Sequence, residues 1–247
     1  MADKKKKASN SSMRLDKFLV EMGKGTRSQI KEMAKKGRIQ VNGAVLKATD
    51  EKIDPEKDVV VLDGQRVSYA QTEYFMLNKP AGTVSATEDE KYPTVVSLIG
   101  SALRKDLFPV GRLDLDTEGL LLITNDGAMA HELLSPKKHV DKTYFVKLRE
   151  PLKQEYEAAL ENGIDIGEEA LTLPAKLEIC SEDRKNCLLT IHEGKFHQVK
   201  RMFQSAENEV VFLKRMSMGS LTLDKALETG QYRPLTQEEI ERLKTNA

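Results

Sequence analysis

The chain of 247 residues has no tryptophan, two cysteines and 5% aromatic side chains. Cys180 and Cys187 cannot build a disulfide framework, and their separation is not that of a zinc knuckle. Both read as reduced thiols of a cytoplasmic protein. No apolar run approaches the ~20 residues of a membrane span, so no membrane partner is expected. The lysine-rich start has no apolar segment behind it, which argues against a secretory leader. There is no phosphate loop, dinucleotide fingerprint or metal-ligand cluster, so neither cofactor nor metal is expected. Net charge is missing too, with 39 basic residues against 39 acidic ones. Its distribution is uneven. Residues 1–47 carry thirteen basic and four acidic side chains, a surplus that fits an RNA or other anionic surface. Acidic stretches at 50–58 and 150–183 balance it. Lysines that merely solvate helix faces would give the same count over this region alone.

Residues 1–12, rich in lysine and serine, read as a disordered basic tail. Leu15, Phe18, Leu19 and Met22 follow the i, i+3, i+4, i+7 spacing of an amphipathic helix, stopped by Gly23 and Gly25. Ile30, Met33 and Ala34 mark a second helix that ends at Gly37. A strand over 39–41, an Asn42-Gly43 hairpin turn, a second strand over 59–62 and an Asp63-Gly64 turn complete the module. Polar residues 68–72 read as a linker. Beyond them the spacing predicts strands at 74–77, 120–123, 144–148 and 188–190, and helices at 128–134, 154–162 and 197–204. A last helix is announced by the capping box Thr236 and Glu239. Short strands with scattered helices point to an α+β chain: a small module at 13–72, then a domain at 73–247 built on a mixed, largely antiparallel sheet.

The densest chemistry lies in Val110-Gly111-Arg112-Leu113-Asp114-Leu115-Asp116-Thr117-Glu118-Gly119, followed by an apolar run and an Asn125-Asp126-Gly127 turn. A carboxylate on a loop fixed by a buried strand suits covalent or acid/base work, because the scaffold aims the oxygen. Three rival readings exist. A calcium loop would place ligands at Asp114, Asp116 and Glu118, but its twelfth position is Asn125 rather than glutamate. A glycosidase-like pair is disfavoured if Asp114 and Asp116 are extended, since they then point to opposite faces. A solvated salt bridge of Arg112 with Asp116 or Glu118 is the bland alternative.

Three further segments occur in order with this loop. Lys142-Thr143-Tyr144 opens a strand. Glu193-Gly194-Lys195-Phe196-His197-Gln198-Val199-Lys200-Arg201 runs from a turn into a helix with Lys200 off its apolar face. The tail contains Gly230-Gln231-Tyr232-Arg233-Pro234-Leu235. With the Gly-Arg-Leu-Asp string at 111–114, Tyr74-Phe75-Met76-Leu77-Asn78-Lys79-Pro80 and Leu133-Leu134-Ser135-Pro136, these segments resemble the RsuA-type branch of ribosomal RNA pseudouridine synthases. The stretches Arg14-Leu15-Asp16-Lys17-Phe18-Leu19, Thr26-Arg27-Ser28, Gly37-Arg38-Ile39 and Val41-Asn42-Gly43 resemble the S4 RNA-binding domain. Together the resemblance covers residues 13 to about 243.

The resemblance implies a cofactor-free enzyme that converts a uridine of ribosomal RNA to pseudouridine. Asp114 would be the catalytic carboxylate, Arg112 would help hold the extruded nucleotide, and Tyr144 would stack on the uracil. Lys200, an arginine in related families, would pair with Asp114. RNA contacts are expected from Arg14, Lys17, Arg27, Lys35, Lys36 and Arg38, and from His197, Gln198 and Arg201 beside the site. The chain ends about where a minimal catalytic domain would, which favours 16S ribosomal RNA or a small-subunit assembly intermediate, by resemblance at uridine 516. Large-subunit RNA is the alternative substrate, and a non-catalytic assembly factor the alternative class. A monomer is expected.

Overall fold

The computed structural model describes residues 12–246, so the basic tail expected over 1–12 lies outside the described residues apart from Ser12. Two compact units emerge. One comprises the residues up to Thr72 together with Ser101–Asp106, the other Glu73–Gly100 and Leu107 onward.

In the first unit β1 (Met13–Arg14) leads into α1 (Leu15–Glu21), followed by α2 (Arg27–Lys35). Thr26 starts α2 with a capping box: its hydroxyl accepts from Gln29 N at 3.3 Å, and the Gln29 side chain accepts from Thr26 N at 2.8 Å. The aliphatic stripe expected of both helices is the core, with Leu15, Phe18, Leu19, Ile30 and Ala34 buried against Ile39, Ile53 and Val60. Two positive φ angles at Asn42 and Gly43 turn β2 (Ile39–Val41) into β3 (Ala44–Val45). The hairpin therefore closes on β3 rather than on the expected second strand. After β4 (Lys52–Ile53), which pairs with β1, that strand arrives as β5 (Val60–Leu62) on the other edge of β2 and continues into β6 (Gln65–Arg66). The 101–106 segment carries no compositional signal. It joins this unit through Arg104, a buried guanidinium bonded to Asp106 at 2.5 and 2.8 Å and to Glu21 at 2.8 Å.

The second unit is a nine-stranded sheet. β7 (Tyr74–Lys79), β8 (Phe108–Pro109), β9 (Glu118–Thr124), β10 (Lys142–Leu148), β11 (Lys176–Ile179), β12 (Asn186–Ile191), β13 (Val210–Met218), β14 (Leu221–Thr222) and β15 (Tyr232–Pro234) form it. The main order is β11-β12-β10-β13-β9-β7-β15, with β14 added to β13 and β8 to β9. Every pairing is antiparallel except β13 with β9, where Lys214 and Arg215 register with Glu118 and Gly119. The chain is thus α+β on a largely antiparallel sheet, as the strand spacing predicts. β9 is buried from Gly119 to Thr124 and supplies Leu120 and Leu122 to a core shared with Met76, Leu133 and Met218.

Asn125-Asp126-Gly127 does more than turn the chain. The Asp126 carboxylate caps α3 (Gly127–Leu134) by accepting from Met129 N at 3.0 Å, and accepts the Tyr74 hydroxyl proton at 2.6 Å. The helix expected over 154–162 opens as a 3-10 turn (Gln154–Tyr156) and becomes α4 (Glu157–Asn162). α5 (Gln198–Ser205) starts after His197, which sits in the left-handed region at φ 47°. α6 (Gln237–Asn246) begins with the Thr236–Glu239 capping box in both directions. No described helix is long and apolar enough to cross a membrane.

Candidate active site

A loop between two strands is mobile unless its carbonyls find donors. The 110–118 loop finds them in Lys79. This lysine ends β7 with no exposed surface, and its ammonium donates to the carbonyls of Thr117 at 2.8 Å, Asp114 at 3.0 Å, Pro80 at 3.1 Å and Leu115 at 3.4 Å. Burial pulls Lys79 down to about 8, against the upward pull of Asp116, Asp114 and Glu118. Ser85 adds a second clasp, its hydroxyl both donating to Leu113 O and accepting from Leu113 N at 3.0 Å. Thr117 N donates to Asp114 O at 3.1 Å and closes a turn.

That turn corrects one expectation. Asp114 and Asp116 do not point to opposite faces; both reach the Lys200 ammonium, Asp116 Oδ1 at 2.6 Å and Asp114 Oδ2 at 3.2 Å. An extended chain would alternate them, whereas the turn at 115–116 folds them to one side. A lysine ammonium thus stands where the calcium reading would need its cation. Burial pulls Lys200 down, but its bond to Asp116 and the charge of Asp114 outweigh this and hold it above the usual lysine value. For Asp116, burial pushes up and the Lys200 bond wins, lowering it. His197 Nε2 lies 3.5 Å from Asp114 Oδ1.

Arg112, Asp114, Tyr144 and Lys200 line one recess of about 80 Å³, with Leu113, Ile191, Val199 and Leu213 as its apolar wall. Tyr144 is 8% exposed, whereas Arg112 is exposed and has no ion pair among the described residues, so the bland salt-bridge reading fails. A wider cleft of about 650 Å³ shares Arg112, Asp114 and His197 with the recess. At its wall Phe196, 70% exposed, stacks on His197 with ring centres 3.8 Å apart.

The residues expected to touch RNA divide. Arg27, Lys35 and Lys36 are exposed without an ion pair among the described residues. Arg14 is bonded to Asp16 at 2.8 and 3.0 Å, Arg38 to Asp63 at 2.6 Å, and Lys17 lies 3.7 Å from Glu21. Gln198 is 4% exposed; it lines the recess, donates to Glu193 at 2.8 Å and accepts from Lys195 N at 2.9 Å, and so braces the turn before α5. Arg201 is likewise engaged, with Glu168 at 2.6 Å and with the carbonyls of Phe196 and Ile166. Lys79, Ser85, Asp116 and Phe196 escaped the sequence reading as site residues. An acidic residue two positions from Asp114 was the one available signal; a buried lysine and a clasping serine leave none.

Residues 73–205 match the family model described as RNA pseudouridylate synthase, and residues 13–60 match the S4 domain. The chain is 49% identical to an uncharacterized RNA pseudouridine synthase of Bacillus subtilis, over 92% of this chain and 97% of that protein. It is 45% identical to the ribosomal small subunit pseudouridine synthase A of Haemophilus influenzae, over 94% and 99%. Among solved structures, one described as a pseudouridylate synthase superposes with a TM-score of 0.66 at 44% identity, covering 94% of this chain and 99% of that one. With Asp114, Tyr144 and Lys200 gathered in one recess, these matches make the chain a member of the RNA pseudouridylate synthase family that carries an S4 domain.

Proposed function

We propose that the protein isomerises one uridine of small-subunit ribosomal RNA to pseudouridine, that this uridine is position 516 of 16S RNA, and that Asp114 is the catalytic carboxylate. One observation carries the reading: Asp114 is held by a backbone clasp and by Lys200 at the recess that Tyr144 walls. The reaction breaks the N1–C1′ bond, joins C5 to C1′, and transfers the C5 proton so that N1 ends protonated. It is balanced without oxidant, phosphate or cofactor. It needs a fixed carboxylate near C1′ and a pocket that retains the freed uracil while it turns.

Base-paired RNA hides C1′ and C5, so the nucleotide is extruded. Tyr144 stacks on the uracil and Arg112 helps hold the extruded nucleotide, while the exposed Phe196–His197 pair gives the neighbouring bases an aromatic face. Exposed Arg27, Lys35 and Lys36 contact phosphates of the same RNA. The small-subunit assignment draws support from the printed names of relatives such as the Haemophilus influenzae protein. We take the enzyme to act as a cytoplasmic monomer on rRNA or on a small-subunit assembly intermediate.

The test is carbodiimide primer-extension mapping of 16S and 23S transcripts incubated with the protein, with and without ribosomal proteins. One new stop in 16S is the expected result. A stop confined to 23S overturns the substrate. No stop on any RNA, with binding intact, leaves an assembly factor. A companion measurement addresses the first unit. Replacing Arg27, Lys35 and Lys36 together with glutamine is expected to lower the slope of log K against log salt by about two to three. An unchanged slope would remove these residues from the RNA interface.

A further inference from the structure

Tyr144 and Arg112 line a second cavity as well, of about 450 Å³, which the chemistry above does not use. Lys142 and Arg215 also line it. They arrive there because β10 lies beside β13, with Tyr144 in register with Arg215 and Lys142 one turn of the pleat away. Arg215 is 2% exposed; its Nε donates to Leu120 O at 2.7 Å, while Nη2 is buried with no partner among the described residues. A buried cationic donor left unpaired is rare, and it is tolerated where a ligand completes it.

The neighbouring charges do not supply that partner. Among the described residues Lys142 donates to Val140 O alone, at 3.0 Å. Burial and the charge of Arg215 hold Lys142 below the usual lysine value, against the pull of Asp141. The Asp141 carboxylate is turned to His192 Nδ1 at 2.7 Å. Glu193, the one carboxylate on the cavity wall, already accepts from Leu173 N and Gln198, each at 2.8 Å, and lies 3.9 Å from Lys195. Arg112, Lys142 and Arg215 therefore line a single cavity with no ion pair of their own among the described residues, and its one carboxylate, Glu193, is engaged by Leu173 N, Gln198 and Lys195. A uracil would need donors and acceptors in a matched pattern. A phosphodiester needs donors and positive charge alone, and a guanidinium meets its geometry.

We infer that this cavity seats a backbone phosphate of the RNA strand next to the extruded uridine, bound by Lys142 and Arg215. The inference rests on the RNA-modifying reading above, since a strand whose base enters the recess runs its backbone past the wall that Arg112 and Tyr144 share. Lys142 and Arg215 would then orient the nucleotide through its phosphate, while Asp114 acts on the sugar.

The experiment uses the full-length protein and a 16S RNA fragment in which single linkages around the target uridine are neutral methylphosphonates. Dissociation constants and single-turnover rates are read for the wild type and for Lys142→Gln, whose head group is anchored by only one carbonyl. One linkage is expected to weaken wild-type binding about tenfold when neutral, and Lys142→Gln is expected to weaken the all-phosphate RNA by a similar factor. In the variant that linkage should no longer matter. Arg215→Lys, read with its Tm, should show the same insensitivity if it folds. If no linkage matters, or if the variant keeps the full loss at the sensitive one, the inference is overturned. Binding reports on the phosphate even where no pseudouridine forms, so failure of the activity assignment would be seen separately.

Discussion

Asp114→Asn is expected to lower pseudouridine formation by at least about 10⁴-fold and to leave RNA affinity within about threefold of wild type. The prediction is strong because the substitution is nearly isosteric and the local architecture does not depend on the carboxylate charge. The Asp114 carbonyl, not its side chain, is bonded to Lys79 and Thr117 N. Lys200 also keeps its shorter partner, Asp116 at 2.6 Å, so no buried cation is stranded. Folding stability should therefore change by less than about 1 kcal/mol. The matching variant, Asp116→Asn, removes the charge of a side chain that is 71% exposed and should cost far less activity. Carbodiimide mapping for activity and filter binding for affinity decide the matter. Persistent turnover in Asp114→Asn would remove the residue from the chemistry, whereas equal loss in both variants would shift the role to the pair.

Lys79→Met is expected to destabilise the protein by about 2–5 kcal/mol and to abolish activity from a position that substrate does not reach. Two terms oppose each other. Removing a cation from a site that holds it at about 8 instead of 10.5 relieves roughly 3 kcal/mol. Against that stand the three N–H donors of the ammonium, shared among the carbonyls of Pro80, Asp114, Leu115 and Thr117 and worth about 1.5–3 kcal/mol each. The carbonyls win, and the turn that carries Asp114 loosens. Thermal unfolding should report a fall in Tm of about 5–15 °C. The pH dependence supplies an independent sign. Between about 8 and 10.5 the unfolded chain keeps a proton that the folded chain has released, so wild-type stability from this group rises with pH across that window. Activity should fall over the same range, because the neutral amine no longer gathers the carbonyls. Stability and turnover moving in opposite directions, with the stability rise absent from Lys79→Met, is the expected signature. Parallel pH profiles of variant and wild-type stability would sink it.

The residues legible from sequence are those whose role follows from local spacing. The stripe Leu15, Phe18, Leu19 and Met22 forms the first core, the Thr236–Glu239 box starts α6, and Leu120–Ile123 lies inside β9. The loop that carries Asp114 stands out because glycines and charges interrupt an apolar pattern there, whereas Tyr144 and Lys200 are singled out by the family resemblance alone. What stayed hidden depends on partners distant along the chain. Gln198 reads as an exposed polar residue until Glu193 and the Lys195 amide are seen to claim it. Lys79 reads as part of a turn, since nothing local says that four carbonyls will converge on its ammonium. Asp116 falls on the side opposite Asp114 only in an extended loop, and local spacing does not announce the turn at 115–116. The attachment of 101–106 to the first unit depends on Arg104 finding Glu21, a pairing without periodicity.

The parallel seam has a consequence for how the chain becomes an enzyme. β9 and β13 register at Lys214 with Glu118 and at Arg215 with Gly119. A Cβ on Gly119 would sit 2.3 Å from Arg215 O, so glycine is what lets the strands approach. The aspartate loop lies on one side of this seam; Tyr144, on β10, lies on the other. Closing it joins segments remote in sequence and carries the loop-closure entropy of a non-local contact, whereas β10, β11 and β12 can pair among near neighbours. A folding chain can thus hold both ribbons, with most of its native backbone bonds, and still have no catalytic centre. The catalytic centre thus depends on the meeting of two strands remote in sequence.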